Sequence, residues 1–209
     1  MLIRSGGTSP DAADVAHLES GGQSILSGTS LAGALRAHAA RIARVVRQQH
    51  QDAEHWVERL FGPVPDGTKD PAFQPWASRL RVSESGLDGG QRQRPSRVSI
   101  DRFTQGVSRG ALFDEEPHYG ARARLDFELR DPEPGDVGLF LLVLKDLLAG
   151  DLPIGGTAAI GRGAATGRAC LRFDGTTQHP LSTLEAPPPE LAARLDAYIR
   201  AFHDSPPQE

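Results

Sequence analysis

Apolar residues recur with helical spacing in three stretches of the chain. The first begins at Ser30, with Thr29 or Ser30 as its N-cap, and its apolar side holds Leu31, Leu35, His38, Ile42, Val45 and Val46. The second follows a turn at 131–136 and ends at Gly150, with one apolar stripe formed by Val137, Phe140, Leu141, Leu144, Leu147 and Leu148. The third, near 188–203, follows three prolines and buries Leu191, Leu195, Ile199 and Phe202, with a disordered tail beyond it. These patterns predict three amphipathic helices.

Alternating apolar and polar residues predict the strands. Residues 122–130 alternate cleanly, which predicts a half-buried strand, and 97–101 forms a shorter one. A third strand holds Ala169, Leu171 and Phe173 on its inward side. We expect loops at 8–28 and 102–118, the latter a long loop or hairpin tip, and an irregular insertion with little regular structure at about 52–96. Helices interleaved with half-solvated strands indicate an α+β fold with an antiparallel sheet.

Composition narrows the protein class. A chain of 209 residues favours one domain, 1–209, and no apolar run reaches the ~18 residues of a membrane span. The first residues lack the apolar core of a secretory signal, so we expect a cytoplasmic protein. The single cysteine, Cys170, excludes an internal disulfide framework, and the net charge of −4 argues against coating nucleic acid by bulk charge. Arginine supplies 21 of the 23 basic residues, which reflects either a GC-rich genome or phosphate binding.

Three segments carry residue types suited to binding a ligand. A Gly-Thr-Ser turn at Gly28, Thr29 and Ser30 opens the first helix and offers free N–H groups to a phosphate, with Arg36 further along. A basic, aromatic loop at 102–113 suits base stacking and phosphate contacts. A glycine-rich run at 155–167 indicates close approach of a ligand or of the chain itself. Each segment also has a purely structural interpretation as a capped helix, a surface hairpin or a tightly packed loop.

Candidates for acid–base chemistry are fewer. The loop before the first helix contains Asp11, Asp14, His17 and Glu19, and loop carboxylates of this kind are commonly just solvated. The seven histidines are scattered, and His50 and His55 lack the spacing of a helical zinc pair. The Gly-x-Ser-x-Gly motif of serine hydrolases is absent from the sequence.

Four segments follow one another in a specific order. They are Ile-Leu-Ser-Gly-Thr-Ser-Leu-Ala-Gly-Ala-Leu-Arg at 25–36, Leu-Phe-Gly at 60–62 with Ala-Ser-Arg-Leu-Arg-Val at 77–82, the stretch from Ser99 to Phe113 followed by Gly120, and the glycine-rich run at 155–167. This succession, over roughly residues 11–173, resembles the RAMP superfamily of CRISPR-associated proteins, in particular the backbone subunits of type III effector complexes. Two features depart from the family pattern: the first strand is short, and Ser27 replaces the usual proline.

The resemblance implies an RRM-like, ferredoxin-like palm with an irregular insertion at about 52–96, a β-hairpin thumb at about 98–120, a glycine-rich loop at 155–167 and a C-terminal helix at about 188–203. It implies an antiviral ribonucleoprotein whose partners are CRISPR (guide) RNA, target RNA, neighbouring RAMP subunits, a large polymerase/cyclase-like subunit and a small helical subunit. The residues that the resemblance assigns to RNA are Gly28, Thr29, Ser30, Arg36, Arg102, Phe103, Thr104, Gln105, Arg109, Gly155, Gly156, Thr157, Arg162 and Gly163.

Catalysis is the open question within that family. In members that cleave target RNA, an aspartate before the first helix acts with a divalent metal ion such as Mg²⁺, and Asp14 is our candidate here, with Asp11 as the alternate. Three alternatives stay open: a structural or capping subunit that holds guide RNA without cutting, a guide-processing endonuclease that uses His17, and an unrelated small-molecule enzyme. RNA binding predicts that Arg36, Arg102, Arg109 and Arg162 converge on one face.

Overall fold

The computed structural model describes residues 1–6, 12–47, 50–64, 73–173, 175 and 177–204. Its helices are α1 (Gly28–Arg47), α2 (His50–Phe61), α3 (Pro134–Ala149) and α4 (Pro189–Asp204), with one 3₁₀ turn at Ala158–Ile160. The strands, several of them very short, are β1 (Arg4–Gly6), β2 (Val15–His17), β3 (Glu19–Ser20), β4 (Gln23–Leu26), β5 (Leu80–Val82), β6 (Ser85–Gly86), β7 (Gln91–Arg92), β8 (Ser96–Ile100), β9 (Val107–Glu116), β10 (His118–Tyr119), β11 (Phe127–Leu129), β12 (Arg168–Leu171) and β13 (His179–Ser182). The α+β class is confirmed.

The chain divides into two compact units, each assembled from three separate stretches. Unit 1 comprises Met1–Leu31, Ser83–Leu125 and Ile154–Ala164, and unit 2 comprises Ala32–Val82, Asp126–Pro153 and Ala165–Glu209. Because the stretches alternate along the chain, neither unit is a continuous segment that could be excised. The assignment of residues 1–209 to a single domain stays a prediction.

Unit 1 is built around a four-stranded sheet in the order β1-β2-β9-β8. Strand β2 pairs antiparallel with β1 and parallel with β9, and β9 pairs antiparallel with β8. The parallel pair corrects the expectation of a purely antiparallel sheet. Strands β8 and β9 form the predicted hairpin, in which Val98 lies opposite Leu112 and Ile100 opposite Val107.

Unit 2 contains α2, α3, α4 and most of α1, together with the ladders β5–β11 and β12–β13. Helix α3 packs on α4 at Gly138, where an added Cβ would overlap the carbonyl group of Tyr198. Leu141 of α3 forms a buried cluster with Leu191 and Leu195 of α4. The helices predicted at the second and third apolar stripes are confirmed, and Gly150 ends α3 in the left-handed conformation with a φ of 91°.

A buried carboxylate ties the start of α3 to its neighbours. Asp136 is fully buried and accepts hydrogen bonds from Arg59 of α2, at 3.2 and 3.1 Å, and from Arg79, at 2.7 Å. The same carboxylate accepts the backbone N–H of Glu133, the N-cap of α3, at 2.9 Å. One side chain therefore binds two arginines and completes the helix cap.

Three local predictions were wrong. Residues 50–61 form helix α2 rather than irregular structure, and residues 15–26 of the predicted loop contain β2, β3 and β4. The strand predicted over 122–130 is a ladder only at Phe127–Leu129. The inside-outside alternation nevertheless persists from Arg124 to Arg130, because the even-numbered side chains are exposed and the odd-numbered ones half-buried. The predicted C-terminal tail at 205–209 lies outside the described residues.

Candidate nucleic-acid interface

The β8–β9 hairpin presents one apolar face to solvent. Val98, Ile100, Val107 and Leu112 are all exposed, and their pairing across the ladder places them side by side in two rows. The other side chains near the base turn inward, with Glu115 buried and Phe113 half-buried. Apolar surface that a subunit leaves exposed on a projecting hairpin is typical of a binding element.

The tip of the hairpin is a preformed turn centred on Asp101. Its carboxylate accepts the backbone N–H groups of Phe103, at 2.9 Å, and Thr104, at 2.7 Å, and the Thr104 hydroxyl group at 3.0 Å. These bonds, first the one from the Thr104 N–H group, lower the pKa of Asp101 below its ordinary value. Asp101 and Gly106 also bond through their backbones, at 2.9 Å, and close the turn. The tip residues are therefore held in place before any ligand arrives.

An arginine and a phenylalanine occupy the top of this turn. Phe103 is 84% exposed, and the guanidinium group of Arg102 lies over its ring, 5.2 Å from the centroid. Gln105 is exposed with a φ of 54°, whereas the hydroxyl group of Thr104 is used to shape the turn. Arg109 lies in β9, and its side chain is outside the described part of the structure. An exposed ring beside a cation is suited to stacking on a nucleobase next to its phosphate.

Asp14, the candidate catalytic residue, lies at the base of the same hairpin. Its Oδ2 atom accepts the backbone N–H of Asp114 at 2.8 Å, and the side chain is otherwise exposed. The neighbouring Asp114 carboxylate is occupied by the Ser96 hydroxyl group, at 2.7 Å, and by Arg94, at 3.1 Å, and the Ser96 bond leads in lowering the pKa of Asp114. Asp14 therefore anchors strand β9, and its second oxygen has no bonding partner among the residues that the structure describes. The alternate, Asp11, lies outside the described residues.

Arg162 is buried rather than free for RNA. Its guanidinium group donates to the buried Glu115 at 2.6 Å and lies over the Tyr119 ring, 5.8 Å from the centroid. Arg97, whose side chain is half-exposed, forms a second ion pair with the same carboxylate at 2.7 Å. Arg162 thus stabilises the base of the hairpin from inside unit 1.

The glycine-rich run packs against the chain itself. An added Cβ at Gly155 would stand 2.6 Å from the carbonyl oxygen of Leu2, and one at Gly163 would overlap the carbonyl group of Ile154. The backbone N–H of Gly156 donates to the same Leu2 oxygen at 2.7 Å. Thr157 is half-buried with a φ of 66° and begins the exposed 3₁₀ turn. Of the two sequence interpretations, close packing of the loop on its own unit explains these glycines.

The start of α1 is capped by Ser27, which corrects the expected N-cap at Thr29 or Ser30. The Ser27 hydroxyl oxygen accepts the backbone N–H of Ser30 at 3.3 Å and the hydroxyl group of Thr29 at 3.4 Å. Gly28 is the first helical residue, and Thr29 is exposed. Arg36, in unit 2, donates to the carbonyl oxygen of Gly62 at 2.5 Å and so satisfies the end of α2.

The four arginines do not all lie free on one face. Within unit 1, Arg102 is at the tip of the hairpin and Arg162 is buried against its base, separated by the ten residues of β9, about 30 Å. Sequence analysis missed Asp101, Ser96, Arg94 and Glu115, which shape the hairpin. Of these four residues, only Asp101 could have been predicted to shape a turn, because an Asp side chain in a turn commonly bonds to the backbone that follows it.

His17 is a structural residue and not a general acid or base. It is buried, and its two ring nitrogens face the backbone N–H of Ile3, at 3.2 Å, and the backbone carbonyl oxygen of Ile25, at 2.9 Å. Both nitrogens are therefore occupied, and neither can exchange a proton with RNA. This geometry removes the support for a guide-processing endonuclease built on His17.

Acid is expected to destabilise the protein through His17. Burial, ahead of the other causes, lowers its pKa below the ordinary value of 6.5. At a pH between the lowered pKa of the folded state and 6.5, the unfolded chain binds more protons than the folded one. The free energy of unfolding therefore falls as the pH is lowered below 6.5. We expect the midpoint of urea unfolding to decline as the pH is lowered over this range. In His17→Gln, the midpoint should depend less steeply on pH. An unchanged slope in that variant would contradict the assignment, and His203→Gln, at an exposed histidine, is the control.

The residues near Asp14 fit a shared metal ion better than a resident one. Among the described residues no group of three or more His, Cys, Asp or Glu side chains is arranged to hold a metal ion. Mg²⁺ is commonly held by one or two carboxylates together with substrate phosphates, so Asp14 would hold it only with RNA in place. When bound, the ion would supply Lewis-acid stabilisation of a reacting phosphate.

Comparisons with known proteins agree with this architecture. The sequence model described as the RAMP superfamily matches residues 1–166. One solved chain, described as "Type IV-B CRISPR Complex", matches with a TM-score of 0.50 and 17% identity, covering 73% of this chain and 79% of that one. At that identity the likeness shows the fold alone. No curated protein matches the sequence, and none of the described helices is long and apolar enough to cross a membrane.

Proposed function

The chain belongs to the RAMP superfamily, and from that premise we propose that it is an RNA-binding subunit of a CRISPR effector complex. The observation that carries the proposal is the β8–β9 hairpin, whose preformed tip holds an exposed Phe103 beside Arg102. RNA-binding proteins recognise single-stranded segments by stacking bases on aromatic rings and placing arginines on phosphates. This hairpin offers both groups on one turn.

We propose further that the subunit belongs to the backbone of a type III complex. Its partners there are guide RNA, target RNA, neighbouring RAMP subunits, the large polymerase/cyclase-like subunit and the small helical subunit, and its compartment is the cytoplasm. The order of the four sequence segments supports this assignment. A type IV-B assembly is the second candidate, because one of the matching solved chains is described as belonging to a "Type IV-B CRISPR Complex". Reconstitution with the subunits of each type would decide between them.

Cleavage of target RNA is a separate proposal that rests on Asp14. The carboxylate is fixed by the Asp114 N–H group, and the side chain is exposed at the base of the hairpin that we assign to RNA. A fixed carboxylate with one free oxygen is suited to orienting a phosphate, with Mg²⁺, for attack by the neighbouring 2′-OH group. The competing proposal is a capping subunit that holds guide RNA without cutting it.

RNA affinity is expected to depend on the tip of the hairpin. Phe103→Ala should weaken binding of a labelled single-stranded RNA by about 5- to 150-fold, because one base–aromatic stack contributes ~1–3 kcal/mol. Arg102→Ala should also reduce the slope of log affinity against log salt by about 0.7, the value for one lost phosphate contact on a single strand. Both effects can be measured by fluorescence anisotropy over a salt series.

A matched control is Phe73→Ala, which removes a partly exposed phenylalanine from unit 2. It should leave RNA affinity unchanged. If Phe103→Ala and Arg102→Ala bind RNA as the unaltered protein does, the hairpin is not the RNA-binding element and the proposal loses its main support.

A further inference from the structure

The β12–β13 ribbon of unit 2 buries one face and presents the other to solvent. Leu171 and Leu181 pack against the buried leucine cluster of α3 and α4. Arg168, Cys170 and Arg172, which alternate with these inward positions, are all exposed. Because successive side chains of a strand point to opposite faces, these three residues share the solvent face. The ribbon is therefore a platform that is held on the helices by its apolar face.

The solvent face of the ribbon is polar on both strands. Arg168 lies opposite Ser182 in the ladder, and the Cys170 thiol donates to the side-chain oxygen of the exposed Gln178 at 3.6 Å. None of the described residues of the ribbon is acidic, and Asp174, which falls between the two strands in the sequence, lies outside the described residues. Arginine, glutamine and serine are among the residue types that commonly contact phosphate oxygens of nucleic acids.

The arginines of this region differ from those that stabilise the fold. Arg162, for example, is buried against a carboxylate. Arg168 and Arg172 have no ion-pair or hydrogen-bond partner among the residues that the structure describes. The same holds for Arg194 of α4, whose guanidinium group is held over the Phe173 ring, 3.8 Å from the centroid. Exposed guanidinium groups without acidic partners keep their full charge and their N–H donors for a polyanion.

We propose that the solvent face of the β12–β13 ribbon is a second RNA contact, which binds the phosphate backbone through Arg168 and Arg172. The role of this contact rests on the proposed function, to which it adds a sequence-independent site. The two arginines are four residues apart, about 13 Å along a strand, so they reach different phosphates of one RNA strand. The ribbon begins at residue 168, beyond residue 166 where the match to the superfamily model ends. The assignment therefore comes from the ribbon itself and not from family membership.

The single cysteine of the chain is a built-in probe of this contact. Cys170 is exposed and stands between Arg168 and Arg172 on the solvent face, so a bound RNA strand would cover its thiol. The full chain is treated with a neutral maleimide, which RNA does not repel, with and without saturating polyuridine. We expect the RNA to slow modification of Cys170 several-fold. Binding of the same RNA is measured in parallel by fluorescence anisotropy.

Arginine variants link this protection to charge. Arg168→Ala with Arg172→Ala should abolish the protection of Cys170 by RNA. The same double variant should lower the slope of log affinity against log salt by about 1.4, the value for two lost phosphate contacts on a single strand. The matched control is Arg41→Ala with Arg44→Ala, which removes two exposed arginines from α1 of the same unit. That control should leave both the protection and the salt slope unchanged.

The outcomes separate this contact from the hairpin. If RNA binds but Cys170 reacts as fast as in the unbound protein, the ribbon is not an RNA contact and the assignment of the hairpin is untouched. Protection that persists in the Arg168→Ala, Arg172→Ala variant would also overturn the proposal, because the arginines would then not hold the strand. Failure of the unaltered protein to bind polyuridine would instead contradict the proposed function, and the ribbon contact with it. At saturating RNA, Phe103→Ala should retain the protection of Cys170.

Discussion

Asp136→Ala is expected to lower the free energy of unfolding by about 3–5 kcal/mol, the range for breaking a buried ion pair by removing one partner. Asp136 is fully buried, and its carboxylate pairs with Arg59, which is itself buried, and with the half-buried Arg79. Alanine would leave the buried Arg59 charge without this partner, and Glu133 would face both Arg59 and Arg79. It would also remove the acceptor of the N-cap bond of α3.

Urea unfolding followed by circular dichroism measures this loss. Asp136→Asn keeps a hydrogen-bond acceptor but not the charge, so its free energy of unfolding should fall between those of the original protein and the alanine variant. The matched control is Glu128→Ala, which breaks the exposed pair with Arg81 and should cost at most about 1 kcal/mol. A cost for Asp136→Ala as small as that of the control would show that the buried network is not what holds α3 in place.

Target-RNA cleavage by the assembled complex is expected to fall at least about 100-fold in both Asp14→Asn and Asp14→Ala, because positioned catalytic side chains contribute roughly 10²- to 10⁴-fold. The two variants separate chemistry from structure. Asparagine keeps an oxygen that can accept the Asp114 N–H group, whereas alanine also removes the anchor of β9. Both lose the negative charge that would orient a phosphate and its Mg²⁺ ion.

The measurement uses the purified complex, a labelled complementary RNA and Mg²⁺, with guide and target binding measured in parallel. Regular cuts that disappear in Asp14→Asn, with binding retained, would support cleavage by this subunit. Wild-type cutting in Asp14→Asn would limit Asp14 to holding the hairpin. Loss of cutting only in Asp11→Ala would move the site to that residue. Intact target in the unaltered complex would favour the capping subunit.

The sequence predicted those elements whose pattern is local. Helices α3 and α4 were recognisable because each buries one face, and strand β8 because its β-branched residues Val98 and Ile100 alternate with polar ones. Helix α2 was missed because Trp56 and the prolines after it suggested an insertion, while its stability comes from distant partners. Trp56 packs edge-on against Phe202 at 5.4 Å, and Arg59 binds Asp136. Contacts of that kind leave no periodic signature.

The candidate site was predicted only in part, because some of its residues also depend on partners that are distant in the sequence. The Arg102–Phe103 pair could be predicted as a binding element, because a basic aromatic segment between strands is unusual. The burial of Arg162 could not be predicted, because its partner Glu115 lies 47 residues away in a stretch that was predicted to be a loop or hairpin tip. The glycine-rich run predicted that another group lies close to its backbone but did not identify that group. In the structure, the group beside Gly155 is the backbone of Leu2.

The terminal position of β8 in its sheet has a practical consequence for preparing the protein. Within the described part of the chain, no strand pairs with one long side of β8, and the same strand exposes Val98 and Ile100. An unpaired row of backbone groups beside exposed apolar side chains is a template for edge-to-edge aggregation. Protein purified alone should therefore precipitate with rising concentration, and added salt should worsen rather than relieve this. Co-expression with its ligand, or a lysine in place of Ile100, is the rational route to soluble material.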